Sequence, residues 1–220
     1  MSKPRAPHAF AVVLLLGSAA MAIEKPEHAV VRTLGEDLEL RDYPGYLVAE
    51  TRVNGSRSDA GNESFRRLAG YIFGGNQRQQ RFAMTAPVTT APAPTADPAP
   101  GERLAMAAPV TQTKTGGGEW LVQFVLPKGH TLETLPKPDD ARVTLRALPP
   151  RRYAVIRYSG TWSDANFDEH LALLRAAMAR EKLTPLGEPV WARYDPPFKP
   201  WFLRTNEILL EVARPAVGTP

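Results

Sequence analysis

The stretch LRDYPGYLVAETRVNGSRSDA, residues 40–60, returns 105 positions later as LRALPPRRYAVIRYSGTWSDA, residues 145–165. Leu40-Arg41, Pro44, Ala49, Arg52 and Gly55 coincide with Leu145-Arg146, Pro149, Ala154, Arg157 and Gly160, and Ser58-Asp59-Ala60 coincides with Ser163-Asp164-Ala165. Each copy carries strand-like apolar residues up to a glycine and then a helix-start signal. After the first copy, Phe65, Leu68, Ala69 and Ile72 fall at i, i+3, i+4 and i+7, which predicts a helix with Ser58 or Asp59 as N-cap. Gly74-Gly75-Asn76 supplies its stop. After the second copy, Ser163 is the expected cap, with Phe167, Leu171, Leu174 and Met178 on one face and Phe167 matching Phe65 after a three-residue gap. A repeat of this length implies two β-α-β-β halves. Joining them sheet edge to sheet edge buries the open faces. The expected fold class is α+β: a distorted antiparallel β-barrel of two pseudo-twofold repeats with two flanking helices.

Outward from the repeat, residues 30–34, 38–43, 46–53, 120–126, 142–148, 152–159, 189–194 and 207–212 read as strands. A shorter echo, RFAMTAPVT at 81–89 and RLAMAAPVT at 103–111, places two further strands around 81–90 and 103–114. The proline in each suits only an edge or a bulge. Between them, residues 91–102 are almost wholly Ala, Pro and Thr, expected to form a mobile surface loop.

Composition bounds the function. Hydrophobic residues make up 43% and charged residues 23%, as in soluble globular proteins. The net charge is +4, and Lys3 and Arg5 supply two of those charges. Without a basic run interleaved with aromatics, nucleic acid is not an expected partner. The first 22 residues read as a cleaved signal peptide: a basic start, an apolar run of roughly 14 residues, and the Ala20-Met21-Ala22 cleavage site. That run is short of the ~20 residues that span a bilayer. The mature domain is then 23–212 with a tail at 213–220, exported and periplasmic, with no membrane span left after cleavage. The chain has no cysteine, so disulfides, thiolate metal sites and Cys nucleophiles are excluded.

Several motifs in order carry a family resemblance. They are Leu38-Glu39-Leu40-Arg41-Asp42-Tyr43-Pro44, Gly70-Tyr71-Ile72-Phe73-Gly74-Gly75-Asn76, the Ala-Met-Thr-Ala-Pro-Val string from Ala83, and Phe124-Val125-Leu126-Pro127. Leu135-Pro136-Lys137-Pro138 and Pro200-Trp201-Phe202-Leu203-Arg204-Thr205-Asn206-Glu207 follow. With these the chain resembles the SOUL haem-binding proteins over residues 27–212. The resemblance implies a distorted barrel of two β-α-β-β halves. It also implies non-enzymatic binding of haem, or a related flat tetrapyrrole, in an apolar groove beside the first helix, as a carrier or buffer. Some animal members carry a His, proposed as an iron ligand, where this chain has Asp42. A carboxylate is a poor axial ligand, so the picture of a groove without one fits better.

For such a groove the candidates are Phe65, Leu68, Tyr71, Ile72 and Met84 as the apolar face, with Arg66 and Arg67 as cations for the propionates. Arg67 matches the position of a basic residue in family members. The same apolar residues also read as the core face of an amphipathic helix, and the arginines as its solvated face. His170, three residues after Phe167, is the candidate axial ligand; His28 and His130 stand alone, and Met84 and Met106 read as core filling. No His pair has zinc-site spacing. One enzymatic alternative comes from gyrase-inhibitor-like relatives, some thought to be hydrolases using a pocket Glu. Here Glu207 would be a general base if it faces an apolar cavity, and otherwise a salt-bridged strand residue with Arg204 as partner. A third alternative is a partner-binding module without a ligand. The aromatic connection 194–202 would either close one barrel end or present a surface, and the closing role is expected.

Overall fold

Why each half cannot close on its own is visible in the strand order of the computed structural model, which describes residues 25–77, 101–104 and 107–214. The strands are β1 (Ala29–Gly35), β2 (Leu38–Tyr43), β3 (Tyr46–Val53), β4 (Asn76–Gln77), β5 (Val110–Lys114), β6 (Trp120–Val125), β7 (Lys137–Pro138), β8 (Thr144–Leu148), β9 (Arg151–Tyr158), β10 (Val190–Arg193) and β11 (Asn206–Val212). The helices are α1 (Arg57–Ile72) and α2 (Asp164–Arg180). Nine strands form one antiparallel sheet in the order β1-β2-β9-β11-β10-β5-β6-β3-β8, curled as a half-barrel, and β4 pairs with β7 apart from it.

Apart from the edge strand β1, that order is symmetric about the β10–β5 seam. The leading strand of each half is exchanged: β2 pairs with β9 and β8 with β3. Tyr43 faces Arg151 in one pairing and Leu148 faces Tyr46 in the other, the same register once the 105-residue shift is applied. The repeat legible in the sequence is thus a repeat of hydrogen-bond register, and each half supplies the edge strand that the other lacks.

Strand alternation sends successive side chains to opposite faces. Ala154, Ile156, Ile208 and Leu210 pack under Leu171, Leu174 and Met178 of α2. Val122, Phe124 and Ala49 pack under Leu68 and Ile72 of α1. On the reverse face, Tyr43, Tyr153, Val155 and Leu209 form a third cluster. Both helices therefore cover one face, and the tyrosines mark the other.

The caps need one correction. Ser163 caps α2, accepting from the Asn166 N–H, as expected. The cap of α1 is Ser56, whose Oγ accepts from the Asp59 N–H at 3.2 Å; Ser58 and Asp59 lie inside the first turn. The reason is local: Ser56 has the extended backbone that an N-cap requires. Cap therefore does not land on cap under the 105-residue shift. Nor do the two phenylalanines match, since Phe167 is buried and Phe65 is 45% exposed.

The predicted strand at 81–90 with Met84, and Met106 as well, lie outside the described residues, as do the leader and residues 91–100 of loop 91–102. At that loop's end, Asn76 holds Glu102 in both directions, donating to its carbonyl at 2.8 Å and accepting from its N–H at 2.9 Å. Among the described residues no helix is long and apolar enough to cross a membrane.

Candidate functional site

The C-terminal half of α1 is where the predicted residues meet a cavity. Phe73 donates its N–H to Ala69, and Gly74 takes φ +112°, ending the helix there. Beyond it, the β4–β7 pair and the bond from Asp139 N–H to the Gly75 carbonyl at 3.1 Å bring residues 137–142 alongside the helix. The groove between them has a volume of about 470 Å³, in the range of small-molecule sites. Its helix wall is Glu63, Arg66, Arg67, Gly70 and Tyr71, and its far wall is Asp139, Asp140 and Arg142. A Cβ added at Gly70 would meet nothing within 4 Å, so the helix surface is bare at the middle of the groove.

The predicted residues divide between groove and core. Leu68 and Ile72 are fully buried beneath the helix and belong to the core. Tyr71 is buried, its hydroxyl donating to the Pro136 carbonyl at 3.0 Å, and burial pushes that phenol up to about 12. Phe65 stays half exposed against Phe124, with ring centroids 5.5 Å apart. The cations also differ. Arg67 is engaged by Glu63, by Thr51 Oγ1 at 3.2 Å and by the Arg52 carbonyl. Arg142 grips Asp140 with two hydrogen bonds at 2.9 and 2.8 Å, which push that carboxyl down to about 2. Arg66 is exposed, reaches only its own helix backbone at 3.5 Å, and among the described residues has no carboxylate partner.

Sequence reasoning missed the far wall and Gly70. The Leu135-Pro136-Lys137-Pro138 motif was the available signal for the first, because it precedes Asp139 directly.

The other candidates sit elsewhere. Asp42 is held by Arg152 through two hydrogen bonds at 2.7 and 2.8 Å, with Arg214 at 3.5 Å, and the bonds from Arg152 hold its carboxyl below the ordinary aspartate value. A depressed carboxyl pKa stabilises the fold above the unfolded-state value, and that stabilisation is lost as pH falls through the folded value. Asp42→Asn is therefore expected to lower the urea midpoint at pH 7, with the difference from wild type closing as the buffer is taken from pH 5 towards pH 2. A constant difference across that range would contradict the assignment. His170 stacks on Tyr158 at 4.2 Å, its Nδ1 2.7 Å from the Asn166 carbonyl, on α2 rather than at the groove. Among the described residues, no cluster of three or more His, Cys, Asp or Glu could hold a metal ion.

Glu207 lies on the tyrosine face and is buried. One carboxylate oxygen accepts from Arg41 Nη1 at 2.9 Å and the other from the Tyr194 hydroxyl at 2.5 Å. Its ion-pair partner is Arg41, not Arg204, which instead donates to the Lys199 and Pro197 carbonyls. Burial, with Glu207 next, pushes Tyr43 up to about 12. Each carboxylate oxygen thus already accepts a bond from a buried partner, the arrangement of a structural ion pair. The aromatic connection does not close the barrel either: Phe198 is 88% exposed, and Trp201 and Phe202 face outward as well. Arg204 and Asp195 bind the backbone of this turn from within, so its rings project outward.

A family model described as SOUL heme-binding protein matches residues 23–211. Heme-binding protein 1 of Xenopus tropicalis is 26% identical over 180 residues, covering 78% of this chain and 86% of that protein. Among solved structures, an uncharacterized conserved protein from Listeria innocua aligns with TM-score 0.51 at 14% identity, covering 87% of this chain and 94% of that one. A hydrolase from the same organism aligns with TM-score 0.50 at 14% identity, covering 87% and 93%. At that identity the two structures speak for the fold alone.

Proposed function

We propose that this chain, which belongs to the SOUL haem-binding protein family, binds haem or a closely related flat tetrapyrrole in the groove beside α1, as a non-enzymatic carrier or buffer. One observation carries the location: a groove of about 470 Å³ whose helix wall is bare at Gly70 and whose rim holds Arg66 without a carboxylate partner among the described residues. A tetrapyrrole is flat and carries propionates. The bare helix surface suits the ring, and the Arg66 guanidinium suits a propionate. The described lining contains no His, Cys or Met, so contact and charge rather than an iron bond would hold the ligand there. Reversible binding of that kind suits a carrier or a buffer. The leader reading adds that the protein works in the periplasm, which N-terminal sequencing of the protein recovered from that compartment would test.

The test is a haemin titration followed by Soret absorbance and Trp quenching. Wild type is expected to saturate at one haem per chain. Arg66→Glu should weaken binding by about tenfold or more, as expected for replacing a charge-assisted contact with a repulsive one. Gly70→Leu should weaken it as well, and it discriminates better. Leucine is the better helix former and meets no protein atom at its Cβ, so any loss of haem affinity comes from filling the groove. Unchanged affinity in both variants would remove haem from this groove.

A further inference from the structure

Gly55 and Gly160 close the same turn in the two halves. Each follows the long strand, β3 or β9, each takes φ +117°, and each leads to the serine that caps the next helix. The two turns differ in what surrounds the glycine nitrogen. The Gly160 N–H donates to the Trp201 carbonyl at 3.1 Å, and the residue before it is Ser159. The Gly55 N–H donates to nothing among the described residues, and the residue before it is Asn54. Asn54 is exposed, and its side chain makes no hydrogen bond among the described residues either.

An asparagine side-chain amide can react with the backbone nitrogen that follows it, because joining the two closes an unstrained five-membered ring. Two things ordinarily oppose this: a following side chain that crowds the nitrogen, and a hydrogen bond that holds its proton. Neither operates at Gly55. It has no Cβ, and the space beside it is open, since a Cβ built there would meet only Asp59 Cβ, at 3.8 Å.

Of the five asparagines in the chain, Asn54 alone precedes a glycine. The other four are restrained. Asn76 is buried, with Nδ2 donating to the Tyr71 and Glu102 carbonyls at 2.8 Å. Asn206 is buried, accepting from the Trp162 indole at 2.9 Å and donating to the Gly160 carbonyl at 3.3 Å. Asn166 donates to the Ser159 and Thr161 carbonyls. Asn62 is exposed but lies inside α1, where the Glu63 N–H that follows it belongs to the helix ladder.

We propose that Asn54 is a self-modifying site, which converts to aspartate and isoaspartate and so alters the entry to α1. The reaction needs only water. The Gly55 nitrogen loses its proton and attacks Asn54 Cγ; the new C–N bond forms, the Cγ–Nδ2 bond breaks, and ammonia leaves with that proton. Water then opens the cyclic imide at one carbonyl to give aspartate, or at the other to give isoaspartate. The two products act differently. Aspartate places a negative charge two residues before the Ser56 cap, at the favourable end of the helix dipole. Isoaspartate routes the main chain through the former side chain and lengthens it by one methylene. It does so where the Gly55 carbonyl accepts from Trp120 Nε1 at 3.2 Å and Ser56 caps the helix, so it unpins the start of α1. Neither product depends on haem.

The experiment ages the full chain in buffers between pH 6 and pH 8. Peptide mass spectrometry reads the amide-to-acid mass change at each asparagine, with fragmentation that separates aspartate from isoaspartate. Conversion at Asn54 is expected to outrun that at Asn62 at least about tenfold, and to rise about tenfold per pH unit, as the ionised fraction of a weak acid does well below its pKa. Ageing should lower the Tm of wild type and leave that of Asn54→Ser unchanged. That variant copies the Ser159-Gly160 pair of the second half, which takes the same turn, so the fold is kept. Amide loss at Asn54 no faster than at Asn62, a rate indifferent to pH, or an aged Asn54→Ser that loses Tm as wild type does would overturn the proposal.

Discussion

Replacing Arg41 by Met is expected to cost about 3–5 kcal/mol of stability, the range for breaking a buried ion pair from one side. Arg41 and Glu207 are both buried, and their bond of 2.9 Å joins β2 to β11 across the intervening β9. Arg41 also holds Glu39 at 2.6 Å and reaches the Tyr43 hydroxyl at 3.2 Å. With Met in its place, the Glu207 carboxylate would keep only the Tyr194 hydroxyl, and its charge would be stranded among tyrosines. The paired variant Arg41→Met/Glu207→Leu should recover much of the loss, because an apolar pair is often no worse than a buried ionic one. Urea unfolding of the two variants beside wild type decides the matter. If Arg41→Met loses less than about 1 kcal/mol, as exposed pairs do, the network contributes little to holding the exchanged strand β2 in the sheet.

Leu68→Ala is expected to destabilise the protein by about 2–5 kcal/mol, as large-to-small changes in tight cores do. Phe65→Ala, one turn earlier on the same helix, should change stability by less than half as much. The helical period predicts both residues on one stripe, but Leu68 is enclosed by Val122, Leu126 and Leu135 whereas Phe65 is half exposed against Phe124 and is not among the residues lining the groove. Urea midpoints measured on the two proteins separate the roles. Equal destabilisation by both would mean that Phe65 is a core residue.

These contrasts show which parts of the site were readable. The helices, the outer strands and the α+β class followed from period and from the 105-residue repeat, because local patterns of burial leave a periodic trace. Arg66 could be nominated from position alone, but not its lack of a carboxylate partner among the described residues, beside the engaged Arg67 and Arg142. Glu207 was legible as a strand residue near the end of the chain. Its partner, Arg41, stands 166 positions away in sequence and is brought close only because β9 lies between β2 and β11.

By itself the sequence determined the number of halves, the period of each element and the family, since all three rest on residues close in the chain or on motifs in order. Tertiary structure decided the exchange of β2 and β8 between the halves, and with it which charges meet. It also turned the aromatic connection outward, and it brought Arg57 and Arg193 together across the seam. The physical reason is the same in each case. Burial and Coulomb interaction depend on distance in space, and a pleated sheet sets that distance by strand order, which no local pattern encodes.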